Sequence, residues 1–220
     1  FIFFSCNKYE PFCDCIDVQN PTFISLSYPN NFPNPNMPES NPLTEQGVNL
    51  GKHLFYDPIL SSDNTISCAS CHKQEHAFGD NTQYSFGVNQ SIGERNTPTI
   101  INSAFQLHFD WDGKSNSLEN QAIRPIFNHL ELNNSNWSEL IHRLQASEIY
   151  PDLFCEAFGT NQIDSLKVLQ AISQFERSLI SVNSKFDQWL KGQVSFTDEE
   201  IDGFNIYASE RGDCFHCHPI

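Results

Sequence analysis

The chain has 220 residues, 39% of them hydrophobic, and a formal net charge of −15 at pH 7. That suffices for one good core, or for one domain and part of another, and excludes a disordered polar chain. The acidity argues against nucleic acid or an anionic membrane as main partner; it fits a basic protein partner or simply a solvated acidic surface.

Residues 1–27 open in mid-hydrophobic run, "FIFFSCNKYE", like the end of a signal peptide. Ser5 before Cys6 resembles a bacterial lipoprotein cleavage site. Cys6 would then be the lipid-carrying first residue of an exported, periplasmic protein anchored to the membrane. An ordinary apolar segment with a free or disulfide-bonded thiol is the other reading. Cys13, Cys15 and the isolated Cys155 take no assignment from spacing. Residues 28–43, with "YPNNFPNPNMPESNP", are too rich in Pro and Asn for helix or strand and read as an extended lead-in.

Thr44 then offers an N-cap to "EQGVNLGKHLFY", a helix that Asp57-Pro58 ends. From Ser61 to Pro98 there is little periodicity beyond a short helix over "CASCH", and a long irregular region of this kind signals function. Helical signals return in "SLENQAIRPI", in "NWSELIHRLQ" with Asn136 as cap and Glu139 at its third position, and in "PDLFCEAFG" between Pro151 and Gly159. The strongest helix runs from Ser165 to Ile180, capped by Asp164, with Leu166, Leu169, Ile172, Phe175, Leu179 and Ile180 as its apolar stripe. "SKFDQWLKG" closes at Gly192, and Thr197 with Glu200 forms a capping box opening the last helix. No strand alternation competes, so the class is mainly α with long loops. Nineteen Phe beside one Met suit packing around something large and flat, and equally suit ordinary core use.

Two C-x-x-C-H motifs carry the chemistry: Cys68, Cys71 and His72 in "CASCH", and Cys214, Cys217 and His218 in "CFHCH". Two thiols three apart on a helical turn can each add to one haem vinyl group, and the adjacent His then lies under the iron as its ligand. Structural zinc sites set their cysteine pairs closer together or follow them with spaced histidines. A redox C-x-x-C would need a βαβ context that is absent. The reading is two covalently bound c-type haems. His76 and His216 read as surface or supporting residues rather than ligands.

Beyond these motifs the chain resembles the bacterial di-haem cytochrome c peroxidases, including relatives of the methylamine-utilisation maturation enzyme. The likeness runs from about Asn41 to Ile220, through "LGKHLFYDPILSSDNTISCASCH", "RNTPTIINSAF", "DWDGKSNSLENQA", "FERSLISVNSKFDQWLKG" and "GDCFHCH". It implies two cytochrome c-like domains, here a peroxidatic-haem domain over residues 44–190 and the start of an electron-transfer-haem domain over 191–220. The second domain would be incomplete and the chain a fragment cut at both ends, holding its first haem better than its second. The resemblance implies hydrogen peroxide as substrate and a small cytochrome c or copper protein as electron donor. It places Trp111 as the electron path between the haems, and Gln121 and Glu131 as the polar pair over the first haem. It makes Asn96 a calcium ligand, and assembly as a homodimer is a further expectation. Apart from the resemblance, Trp111 reads as an ordinary buried aromatic and Glu131 as a surface acid.

Reduction of peroxide is the leading expectation; oxidation of an organic or protein substrate, and non-enzymatic electron carriage, are the alternatives. Many family peroxidases carry a histidine eight residues before the position of Asn96, where this chain has Val88. Valine cannot ligate iron, so the first haem is predicted to be open or water-ligated without prior reduction. The absorption spectrum of the fully oxidised protein checks this: a purely low-spin, bis-histidine first haem would contradict it.

Overall fold

The computed structural model describes Cys15 and residues 20–218; the lipoprotein-like Cys6, Cys13 and the last two residues lie outside the described residues. Among the described residues eight α-helices follow in order: α1 (Glu45–Tyr56), α2 (Cys68–Cys71), α3 (Leu118–Phe127), α4 (Trp137–Gln145), α5 (Tyr150–Phe158), α6 (Ser165–Ser178), α7 (Lys185–Leu190) and α8 (Asp198–Tyr207). Among the described residues β structure is limited to isolated bridges, so the mainly α expectation holds. No helix among them is long and apolar enough to cross a membrane.

Helix starts are where local hydrogen bonding puts them. Side chains of Thr44, Asn136, Asp164 and Thr197 accept from the backbone N–H groups of Gly47, Glu139, Lys167 and Glu200. Ser117 does the same for α3 through Asn120. Gly159 and Gly192 end their helices at φ 67° and 68°, a left-handed turn that glycine adopts without steric cost.

The described residues form two compact units, dividing between Ile180 and Ser181. In the first, α6 is the central helix, packed by α1, α3 and α5. Its buried face is Val168, Leu169, Ala171, Ile172 and Phe175, while Leu166, expected in the stripe, is 59% exposed. Leu166 sits in the first turn, before the helix comes under its neighbours. Past that turn α6 is covered on nearly all sides, and even Ser173, Gln174, Glu176 and Arg177 are buried.

Polar groups buried there have partners. Gln174 accepts from the Thr44 N–H and hydroxyl at 3.0 and 3.1 Å and donates to Asn41 at 2.8 Å. Asn41 donates to Glu119, and Arg177 grips both oxygens of Glu119 at 2.8 and 2.9 Å. This network ties the lead-in, α1, α3 and α6 together. The lead-in is strapped down further: Ile24 N–H donates to Leu43 at 2.9 Å, Asn36 N–H to Ala104 at 2.7 Å, and Tyr28 and Phe32 meet Phe105 edge-on. Cys155, isolated in the sequence, is disulfide-bonded to Cys15, 140 positions away. Spacing could not show this, because the pairing is made by the return of the chain.

The second unit, residues 181–218, is built on rings. Trp189 stacks on Phe196 at 4.5 Å, and Phe186 and Phe204 complete the cluster. This packing carries α7 with α8, ten residues upstream of the 190/191 division expected from sequence.

The α1–α6 crossing is close enough that a Cβ added at Gly51 would lie 1.9 Å from the Ala171 carbonyl oxygen. Backbone cannot yield as a flexible side chain can. Gly51→Ala is expected to destabilise the first unit by about 1–3 kcal/mol or more, seen as a lowered thermal midpoint by circular dichroism.

Candidate functional site

The first C-x-x-C-H lies on α2, one helical turn that places Cys68 and Cys71 on the same short element. The Ser70 hydroxyl accepts from the Ser67 N–H at 3.0 Å and fixes the start of that turn. His72 follows as C-cap, its N–H donating to the Cys68 carbonyl at 2.9 Å. The chain then doubles back: Ala77 and Phe78 take φ values of 55° and 56°, and Lys73 pairs with Gly79 across the turn. Left-handed backbone at non-glycine residues costs about 1–3 kcal/mol each. The result is a Phe78 carbonyl 2.9 Å from Nδ1 of His72.

That contact sets the tautomer. With Nδ1–H given to the carbonyl, the Nε2 lone pair is left for a metal. Burial holds the imidazole below its ordinary pKa, against the pull of the Phe78 and Pro98 carbonyls, so it is neutral near pH 7. Burial likewise pushes both thiols up. Around them Phe55, Phe78 and Phe175 form an aromatic cluster with Cys68 and Ala69 packed against it. Two thiols on one turn, a neutral oriented imidazole and an aromatic wall fit a covalently bound haem.

Glu131 stands four residues beyond α3 and is half-buried. Asn128 donates to its Oε1 at 2.6 Å. Burial raises the carboxyl above the ordinary glutamate value; the Asn128 hydrogen bond and the Arg124 charge oppose the rise and Asp110 adds to it. Arg124 is paired with Asp110 at 2.8 Å, next to Trp111 in sequence. Gln121 is half-buried on α3 and is not hydrogen-bonded to Glu131.

The loop carrying Val88 is joined to the Glu131 turn. Val88 is buried, and its N–H donates to the Glu131 carbonyl at 2.9 Å. Gly87 permits the approach, since a Cβ there would lie 2.1 Å from the Leu130 carbonyl oxygen. Trp111 is 63% exposed, so it is no core aromatic. Its indole N–H donates to the Asn96 carbonyl at 2.7 Å, and the Asn96 side chain donates to the Thr82 carbonyl at 2.7 Å. The structure thus joins Trp111 with Asn96 and Val88 with Glu131.

Sequence reasoning missed Phe78, Asn128 and Arg124. Asn128 had a signal, an Asx residue three before Glu131 at a helix end. Phe78 had none, because its part is played by a backbone carbonyl.

The second motif repeats the local form of the first in its own unit. Cys217 and His218 N–H groups donate to the Cys214 carbonyl at 3.2 and 2.9 Å. The Tyr207 hydroxyl donates to the His218 carbonyl. Cys214 is half-buried and Cys217 and His218 are exposed.

Comparison with known proteins agrees with this geometry. Residues 45–195 match the family model of the di-haem cytochrome c peroxidases. The methylamine utilization protein MauG of Methylophilus methylotrophus is 36% identical over 82% of this chain and 54% of its own length. The cytochrome c peroxidase Ccp of Escherichia coli K12 is 34% identical over 83% of this chain and 39% of its own. Among solved structures, a MauG-like protein associated with microbial copper homeostasis superposes with a TM-score of 0.84 at 34% identity, over 89% of this chain and 58% of that one. The chain spans about half the length of the curated relatives it matches.

If Cys68 and Cys71 each form one link to the same haem, neither is needed for the other. Cys71→Ala is expected to retain the first haem through a single thioether. Its pyridine haemochrome band should move to longer wavelength, as for a haem with one free vinyl group, and intact mass should show the haem still attached. An unshifted band would show that Cys71 carries no link.

Proposed function

The chain belongs to the di-haem cytochrome c peroxidase family, whose members carry two c-type haems, and we propose that it reduces hydrogen peroxide to water. The overall balance is one peroxide, two electrons and two protons to two waters. The electrons come from a small cytochrome c or copper protein, and the reaction takes place outside the cytoplasm. Covalent haem and the Cys15–Cys155 disulfide support an exported protein, since structural disulfides belong to oxidising compartments. The lipid on Cys6, calcium at Asn96 and a homodimer stay part of the proposal.

The observation that carries the reading is the Glu131 carboxyl, raised by burial, held by Asn128 and set against the Val88 loop. When bound, the first haem supplies the iron and the electrons for cleaving the O–O bond. Glu131 has the proton work. It takes a proton from the near peroxide oxygen and returns it to the departing one, which a carboxyl titrating closer to neutrality does better than an ordinary glutamate. Gln121 orients the peroxide through its amide. His72, its ring fixed by Phe78, would hold the iron through Nε2. Trp111, held at its indole N–H and free of core packing, relays electrons toward the first haem.

A second reading has a specific support. The relatives named MauG and the residue at Val88 favour a haem that oxidises an organic molecule or protein side chains. Peroxide titration with a reduced cytochrome donor separates the two. Fast donor oxidation supports peroxidase; reaction with peroxide without donor turnover supports the second reading; no reaction supports an electron carrier.

Glu131→Gln is expected to lower peroxide turnover by roughly 10²–10⁴-fold with the haem spectrum unchanged. Glu131 must be ionised to accept the first proton, so wild-type turnover should rise with pH through its elevated pKa. That limb should lie above the ordinary glutamate range and vanish in the variant. Full turnover in Glu131→Gln would sink the assignment.

A further inference from the structure

The mechanism leaves one buried acid unused. Glu176 on α6 is 6% exposed, and its Oε2 is buried with no hydrogen-bond partner. The neighbouring cation cannot neutralise it by pairing, because Arg177 is committed to Glu119 by two hydrogen bonds. No ion pair among the described residues includes Glu176, and that of Arg177 is with Glu119.

The surroundings define what it can feel. From α1 the buried residues are Gly47, Leu50, Gly51, Leu54 and Phe55, none of them charged. The turn at Ser103 brings a hydroxyl to the Glu176 carbonyl at 3.3 Å. The titratable groups that interact with it electrostatically are Arg177 on its own helix, Glu119 from α3 and Cys68 from α2. Burial pushes Glu176 up to about 8, Arg177 pulling down and Glu119 adding to the rise.

The residue before it on α6 belongs to the aromatic cluster of the first motif. Phe175, the preceding residue, packs on Phe55 and Phe78 at 5.0 and 6.5 Å, and Cys68 and Ala69 pack on the same cluster. Burial pushes the Cys68 thiol up, and the charge of Glu176 adds to the rise. A carboxylate there favours an oxidised haem and a neutral carboxyl a reduced one, because opposite charge stabilises and like charge destabilises in a medium of low dielectric.

We propose that Glu176 is a redox-linked proton acceptor beside the first haem: its carboxyl binds a proton when that haem gains an electron and releases it when the electron leaves. The electron comes from the small donor protein and the proton from solvent, and the one bond made is O–H at Glu176. The inference rests on haem attachment at Cys68 and Cys71, and is independent of which substrate the haem oxidises.

The test is a spectroelectrochemical titration of the haem-loaded, full-length protein over about pH 6–10, following the first haem. The wild-type midpoint should fall as pH rises, with a limiting slope near 59 mV per unit, the one-electron equivalent of a tenfold change. Glu176→Gln should show a higher midpoint at alkaline pH and lose that slope. Redox-difference infrared spectra should show a protonated-carboxyl band appearing on reduction of the wild type and missing in the variant. If Glu176→Gln fails to load haem, the wild-type slope and infrared band decide. A pH-independent wild-type midpoint, or a variant that keeps the wild-type slope and band, overturns the proposal. Neither readout involves peroxide turnover, so failure of the peroxidase reading is separately visible.

Discussion

The close approach of α1 to α6 at Gly51 and Ala171 is the contact on which the first unit depends. It brings two backbones together without intervening side chains, and so forces the polar side chains of α6 into the interior. Gln174, Glu176 and Arg177 are buried as a consequence. Burying such groups is tolerable where hydrogen bonds replace water, which Thr44, Asn41 and Glu119 provide for Gln174 and Arg177. Breaking a pair such as Arg177 with Glu119 would leave a buried charge uncompensated, which is costlier than never having had the pair. Glu176 lies outside that network, next in sequence to Phe175 of the aromatic cluster.

At the haem motif the same logic runs through backbone strain. Ala77 and Phe78 adopt left-handed conformations that neither residue favours, and the hydrogen bond from His72 is what they achieve. An unoriented histidine could expose either ring nitrogen; this one offers Nε2. On the Glu131 side, a glycine admits the Val88 loop against the acid's own backbone, and Asn128 holds its carboxyl. Both halves of the site are thus irregular segments braced on helices, and the long unpatterned stretch between α1 and α3 is irregular for that reason.

Much was legible in advance because it was local. The four caps at Thr44, Asn136, Asp164 and Thr197 involve side chains reaching three residues along their own chain, and all were read correctly. The C-x-x-C-H spacing is likewise a property of one turn, and the second copy repeats the hydrogen bond of the first. The exposed Leu166 shows where periodicity fails, since a helix has a stripe only where a neighbour covers it. The division at Ile180 shows the same for units: Phe186 and Trp189 look like the end of one pattern, yet their rings pack with Phe196 and Phe204 further on.

By itself, then, the sequence determined the helical class, the starts of the helices and the spacing of the two C-x-x-C-H motifs, because each follows from interactions within a few residues. It marked Glu131, Gln121 and Trp111 through their likeness to a family pattern, with no physical account of how they are held. Tertiary structure decided the rest. It alone paired Cys15 with Cys155, set a backbone carbonyl on His72, raised Glu131 by burial and left Glu176 buried without an ion pair. Those are effects of desolvation and of contacts between distant segments, and neither exists until the chain has closed on itself.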